Sequence, residues 1–136
     1  FNPKESIDFN GNTGPFIQYT HARIRSILRK AAEKGIEYSA SPLPKVELSA
    51  KEVRLIKLLN TFPAKIAEGA QAYSPAVIAN YAYDLAKEFN QYYHDTPILK
   101  EENGDVLKMR LVLIDTLSAV LRKAMGILGI ELPERM

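Results

Sequence analysis

The sequence predicts an all-α fold, a bundle of about five helices, and three observations carry that prediction. Apolar residues recur at steps of three and four through Ile17, Ile24, Leu28 and Ala31, again from Val77 to Phe89, and again from Leu107 to Leu128. No segment alternates convincingly with the period of two that a half-buried strand requires. Caps and breakers punctuate the periodic stretches: Ser49 with Glu52, Pro63, Ser74 with Pro75, and glycines at 35 and 129. At 136 residues the chain is one domain, long enough to bury a real core and too short for two.

Taken in order, residues 1–13 are polar and contain Pro3, Gly11 and Asn12, and read as a connecting loop. Pro15 suits a first helical turn, with Thr13 or Gly14 as its cap, and a helix over 15–34 stops at Gly35 in the C-cap role. Two serines and two prolines make 36–48 a loop. Ser49 followed three residues later by Glu52 is a capping box and opens a helix carrying Val53, Ile56, Leu58 and Leu59. Pro63 interrupts that helix, and a short one follows over 64–72. Ser74 and Pro75 supply a cap and a first-turn proline for a long helix to about Tyr93, whose apolar face includes Tyr81, Leu85 and Phe89. Residues 94–103, with Pro97, read as a loop. The last helix covers 104–128, with Glu101, Glu102 and Asp105 placing negative charge where its dipole favours it.

Composition removes several function classes. With no cysteine, the chain has no disulfide, no thiolate zinc site and no cysteine nucleophile. Two histidines, His21 and His94, are too few and too scattered for a metal cage. Asp84 and Glu88 form a like-charged i, i+4 pair of the solvated kind, and nothing else argues for acid/base chemistry. No apolar run approaches the roughly 20 residues of a membrane span, and the N-terminus lacks a signal-peptide pattern. The start at Phe1 rather than methionine leads us to expect a cytosolic piece of a longer protein. Net charge is only +2, so affinity for a polyanion must come from where the charges lie.

They lie unevenly. From Tyr19 to Lys34 the charged residues are Arg23, Arg25, Arg29, Lys30, Lys34 and one acid, Glu33. On a wheel at about 100° per residue, Ile17, Ile24, Leu28 and Ala31 fall together as a core face. Phe16, Tyr19, Arg23, Lys30 and Lys34 share a neighbouring stripe, with Ile27 between the two faces, and Arg25 and Arg29 point away from it. Two readings fit this stripe. In one, Phe16 and Tyr19 close the edge of the core and the cations are a solvated face. In the other, an aromatic ring stacks on an unpaired RNA base while Arg23, one turn on from Tyr19, bonds a base edge or phosphate. His21, at the margin of the core face, reads as a satisfied structural histidine. Tyr81 matches the apolar spacing, whereas Tyr83 sits off it and could reach RNA. Lys45, Lys51, Arg54 and Lys57 either extend a phosphate-binding surface or only keep the chain soluble.

Phe1-Asn-Pro-Lys-Glu-Ser-Ile-Asp-Phe9 and Gly11-Asn-Thr-Gly-Pro-Phe-Ile-Gln-Tyr-Thr-His-Ala-Arg-Ile-Arg-Ser-Ile-Leu28 resemble the entrance to the anticodon-binding domain of arginyl-tRNA synthetases, the helical type named for its DALR motif. Leu128-Gly-Ile-Glu-Leu-Pro-Glu-Arg-Met136 resembles that family's C-terminus, and Tyr81-Ala-Tyr-Asp-Leu-Ala-Lys-Glu-Phe-Asn-Gln-Tyr-Tyr93 its penultimate long helix. The resemblance spans nearly the whole chain, with 36–48 the least distinctive part. It implies residues 1–13 as the linker from a catalytic domain and 14–136 as the DALR-type domain.

The resemblance also implies a pocket for an anticodon-loop base lined by Phe16, Tyr19 and Arg23, the stripe that the wheel produces on its own. Tyr93 and Met136 would complete it, with Tyr92 as the alternative if the register shifts by one, and Lys30 and Tyr83 as secondary contacts. The family often has tyrosine where Phe16 stands, so stacking survives here without a hydroxyl contact. Met136 would otherwise be an ordinary frayed terminus, and Arg135 an exposed cation of little consequence.

The implied partners are tRNA(Arg) and the parent's own catalytic domain, with neither DNA nor membrane, and the implied state is a cytoplasmic monomer. The parent would be a class I ligase that joins arginine to its tRNA using ATP and Mg. Its HIGH-like and KMSK-like signatures and a glycine-rich phosphate loop are absent from the sequence, so this chain is expected to need no cofactor and to catalyse nothing by itself. A DALR-type domain of another synthetase, cysteinyl or glycyl, is the alternative, and Pro133-Glu-Arg-Met136 argues against it. A helical module that only docks on a partner protein is the alternative of a different class.

Overall fold

The computed structural model describes residues 13–38 and 45–136. These form five α-helices: α1 (Thr13–Glu33), α2 (Ala50–Asn60), α3 (Phe62–Ala72), α4 (Pro75–Asp95) and α5 (Gly104–Ile127), with a single 3-10 turn at Ile98–Lys100 before α5. No strand occurs among the described residues. The expected 1–13 linker falls almost wholly outside them, as does the middle of the 36–48 loop.

The three long helices α1, α4 and α5 pack against one another, α2 packs against α4 and α5, and α3 packs against α4. The apolar faces read from the spacing meet in one core. Ile17 and Ile24 of α1, Leu85 and Phe89 of α4, and Leu111, Ile114, Leu117, Leu121 and Met125 of α5 are all fully buried. Arrays of this kind, three-to-four spaced apolar stripes facing inward, are what make each helix stable in context.

Local chemistry sets the helix ends. The capping box at α2 is formed as expected: the Glu52 N–H donates to Ser49 Oγ at 3.2 Å and the Ser49 N–H to Glu52 Oε1 at 2.8 Å. Pro63 divides α2 from α3 across Thr61, because it lacks an N–H and its ring would strike the carbonyl one turn back. Gly35 and Gly129 both take positive φ, 74° and 76°, and close α1 and α5. Two expectations are corrected. Thr13 is the first residue within α1 rather than its cap. Ser74 stands at the N-cap of α4 but makes no side-chain cap bond. The turn is closed instead by Tyr73 in the left-handed conformation, φ 50°, and by the Ser74 N–H donating to the Gly69 carbonyl at 3.0 Å.

One polar cluster is buried in this frame. Beyond capping α2, Glu52 accepts through Oε2 from the Tyr92 hydroxyl at 2.7 Å and from Arg110 Nε at 3.0 Å, which ties α2 to α4 and α5. Burial pushes the Glu52 carboxyl up, but the Ser49 N–H, the Tyr92 hydroxyl and Arg110 together hold it below the usual carboxylate range. Burial and then Glu52 raise the Tyr92 phenol far above its ordinary value.

Candidate nucleic-acid interface

The first half of α1 and the last turns of α4 run side by side, and the spacing of each decides what meets there. On α4, Leu85, Phe89 and Tyr92 follow steps of four and three into the core, so Tyr93 falls one position outside it and is 39 % exposed. On α1, Ile24 and Leu28 face inward and Arg23 is turned out beside α4. The Arg23 guanidinium lies over the Tyr93 ring, 4.7 Å from its centroid, in cation–π geometry. Arg23 Nη1 also donates to Asn90 Oδ1, and Asn90 Nδ2 donates in turn to Thr20 Oγ1 and to the Ala86 carbonyl, each at 2.8 Å.

This pair forms one wall of a groove of about 670 Å³ that continues to the 3-10 turn at Ile98–Lys100. Ile27 and Ile98 supply apolar surface, and Arg23, Lys30 and Lys100 supply charge. None of these three cations is paired with a carboxylate among the described residues. The groove therefore combines an accessible ring with cations whose charge no carboxylate among the described residues offsets. That set suits a flat, acceptor-rich, negatively charged ligand.

Of the residues expected at the site, Arg23, Lys30 and Tyr93 line this groove together. Phe16 does not. It is half-buried, its ring 5.5 Å from Tyr83 at a tilt of 52°, and it lines a smaller adjoining groove of about 360 Å³ with Lys87 and Gln91. The two grooves share Asn90 and His94. Tyr83 is held against Phe16 at the edge of the core. Tyr92 is fully buried with its hydroxyl on Glu52, so the exposed ring of the Tyr92–Tyr93 pair is Tyr93. Tyr19 is 60 % exposed one turn before Arg23, and Met136 is 63 % exposed; neither lines the larger groove.

The opposite face of α1 is satisfied by the chain's last residues. Arg25 Nε donates to Glu134 Oε2 at 2.9 Å and its Nη1 to Asp115 Oδ1 at 3.3 Å. Arg29 Nη1 donates to the Glu134 carbonyl at 3.0 Å. One turn earlier, fully buried His21 donates Nδ1–H to the Pro133 carbonyl at 2.7 Å, which fixes the neutral tautomer. Burial lowers the His21 pKa against the opposing pull of that carbonyl. Lys51 and Arg54, weighed as phosphate contacts, pair instead with Asp95 and Glu88.

Sequence reasoning passed over Asn90, Thr20 and the 98–100 turn. Asparagine inside a helix competes with the backbone and is disfavoured there, so Asn90 between Phe89 and Gln91 was a signal in its own right. The 3-10 turn lay in a stretch without periodicity and gave none.

Among the described residues no three side chains of metal-ligating type come together. No helix there is long and apolar enough to cross a membrane.

Residues 17–136 match the DALR anticodon binding domain family. Over all 136 residues the chain is 58 % identical to an arginine–tRNA ligase of Bacteroides fragilis and 57 % identical to one of Phocaeicola vulgatus. It covers 23 % and 22 % of those proteins respectively. Thermus thermophilus arginyl-tRNA synthetase superposes on it with a TM-score of 0.80 at 35 % identity, over 100 % of this chain and 23 % of that one. The chain thus spans under a quarter of the length of the relatives it matches.

Proposed function

The chain belongs to the DALR anticodon binding domain family, and on that premise we propose that it grips the anticodon loop of tRNA(Arg) for an arginine–tRNA ligase. The observation that carries the reading is Arg23 laid over Tyr93 in a groove whose cations have no carboxylate partner among the described residues. An unpaired base stacks against this pair, Arg23 donates to its acceptors, and Lys30 and Lys100 meet the flanking phosphates. Tyr19 offers a second exposed ring one turn away, and Phe16 lines the adjoining groove. The resemblance alone supports a contact from Met136.

The relatives support arginine as the amino acid, rather than the substrate of another DALR-type synthetase. In this reading ATP and Mg belong to a catalytic domain beyond this chain, and this chain's share is to anchor the tRNA so that its acceptor end reaches that domain. We place the whole protein in the cytoplasm as a monomer.

A direct test is titration of the full chain with an RNA hairpin carrying an arginine anticodon loop, against the same stem with an unrelated loop. The arginine loop should bind more tightly, with log affinity falling linearly in log salt. Equal binding of the two loops, or of neither, overturns the reading.

A further inference from the structure

We propose that Asn90 is a positioning residue: it sets the Arg23 guanidinium in the groove and acts on RNA only through it. The inference rests on the functional reading above. Both hydrogens of the Asn90 amide are committed, one to Thr20 Oγ1 and one to the Ala86 carbonyl. The Thr20 hydroxyl hydrogen is itself committed to the Phe16 carbonyl at 2.8 Å, so Thr20 can only accept from Asn90. A flipped amide would set Oδ1 against the Ala86 carbonyl and turn Nδ2 toward the Arg23 donor, leaving like against like on both sides. One orientation therefore survives, with Oδ1 toward Arg23 Nη1.

That bond and the Tyr93 ring hold the guanidinium at two points, while its charge stays free because amide and ring are both neutral. A carboxylate at position 90 would order Arg23 equally well but take up its donors and cancel its charge, both of which the RNA needs. Arg23 is thus arranged before RNA arrives, which removes part of the ordering penalty of a long side chain. The device spans two helices, since Thr20 and Arg23 belong to α1 and Asn90 and Tyr93 to α4.

The test is a double-mutant cycle on the full chain, read as affinity for the arginine-anticodon hairpin across a salt series, with thermal melting to establish the fold. Asn90→Ala should weaken binding about three- to tenfold, the scale of ordering one long side chain, while the salt slope stays that of wild type because no charge is lost. Arg23→Ala should weaken binding about five- to 150-fold, the scale of a base-contacting arginine, and lower the salt slope because a cation facing the RNA is lost. Added to Arg23→Ala, Asn90→Ala should cost nothing further. Thr20→Val, which frees the amide without touching Asn90 or Arg23, should give a smaller loss that also vanishes without Arg23.

An Asn90→Ala loss that persists in full without Arg23, or wild-type binding by both Asn90→Ala and Thr20→Val, overturns the inference and leaves the functional reading intact. Wild-type binding by Arg23→Ala overturns both. If Asn90→Ala melts out, the Thr20→Val arm of the cycle decides.

Discussion

The two sides of α1 carry the same kinds of residue and do opposite things with them. Arg25 meets the carboxylates of Glu134 and Asp115, Arg29 the Glu134 carbonyl and His21 the Pro133 carbonyl, so that side is a clamp on the end of the chain. Among the described residues Arg23 and Lys30 meet no carboxylate; Arg23 meets only the neutral Asn90 and Tyr93, and both cations line a groove. A cation becomes available to a ligand when its own chain leaves it ordered but not neutralised. Tyr92 and Tyr93 repeat the contrast on α4, one ring locked to Glu52 in the core and its neighbour turned out to the groove.

Breaking the comparison starts on its locked side. Glu52→Ala leaves Tyr92 without an acceptor in the interior and removes half of the α2 capping box. It also leaves Arg110 with Glu101 as its one remaining carboxylate partner among the described residues, and we expect a loss of about 2–4 kcal/mol in urea unfolding. A loss below about 1 kcal/mol would mean that the cluster relaxes onto water. On the open side, Arg23→Ala should weaken hairpin binding by about 1–3 kcal/mol while the melting temperature stays at the wild-type value.

Arg25→Ala is the mirror image and smaller, because its partners are partly exposed: about 1 kcal/mol or less of stability, with hairpin affinity unchanged. If Arg25→Ala lowered affinity as much as Arg23→Ala, the two sides of α1 would not be separate in function.

The smallest effect sharpens the clamp. Burial holds the His21 pKa below its ordinary 6.5 in the folded chain, so below about that pH the unfolded chain binds the extra proton first. Stability should therefore be fully present above pH about 6.5 and decline as the pH falls below it. Melting curves at pH about 7.5 and about 5.5, wild type against His21→Gln, should show that decline flattened in the variant. Parallel curves would show that other groups carry it.

Much of this was legible in the chain. The steps from Leu107 to Leu128 and the Ser49–Glu52 pair found their helices without help, because both signals lie within one or two turns. The Arg23 stripe was legible for the same reason. The choice between Tyr92 and Tyr93 was legible too, since Leu85, Phe89 and Tyr92 complete the inward spacing. Phe16 was harder. Its stripe matched that of Arg23, yet Tyr83 on α4 takes its ring and puts it in a separate groove, and no periodicity in α1 reports where α4 stands.

The sequence by itself determined the helices, most of their ends and the direction each side chain of α1 leaves the helix, because backbone geometry and capping act over a few residues. Tertiary structure decided which cations remain open. Arg25 and Glu134 are separated by 109 residues, Arg29 and Glu134 by 105, and Arg23 and Asn90 by 67. Only packing of α1 against α4 and of the chain's end against α1 brings those charges and dipoles together, and electrostatic neutralisation depends on distance in space alone.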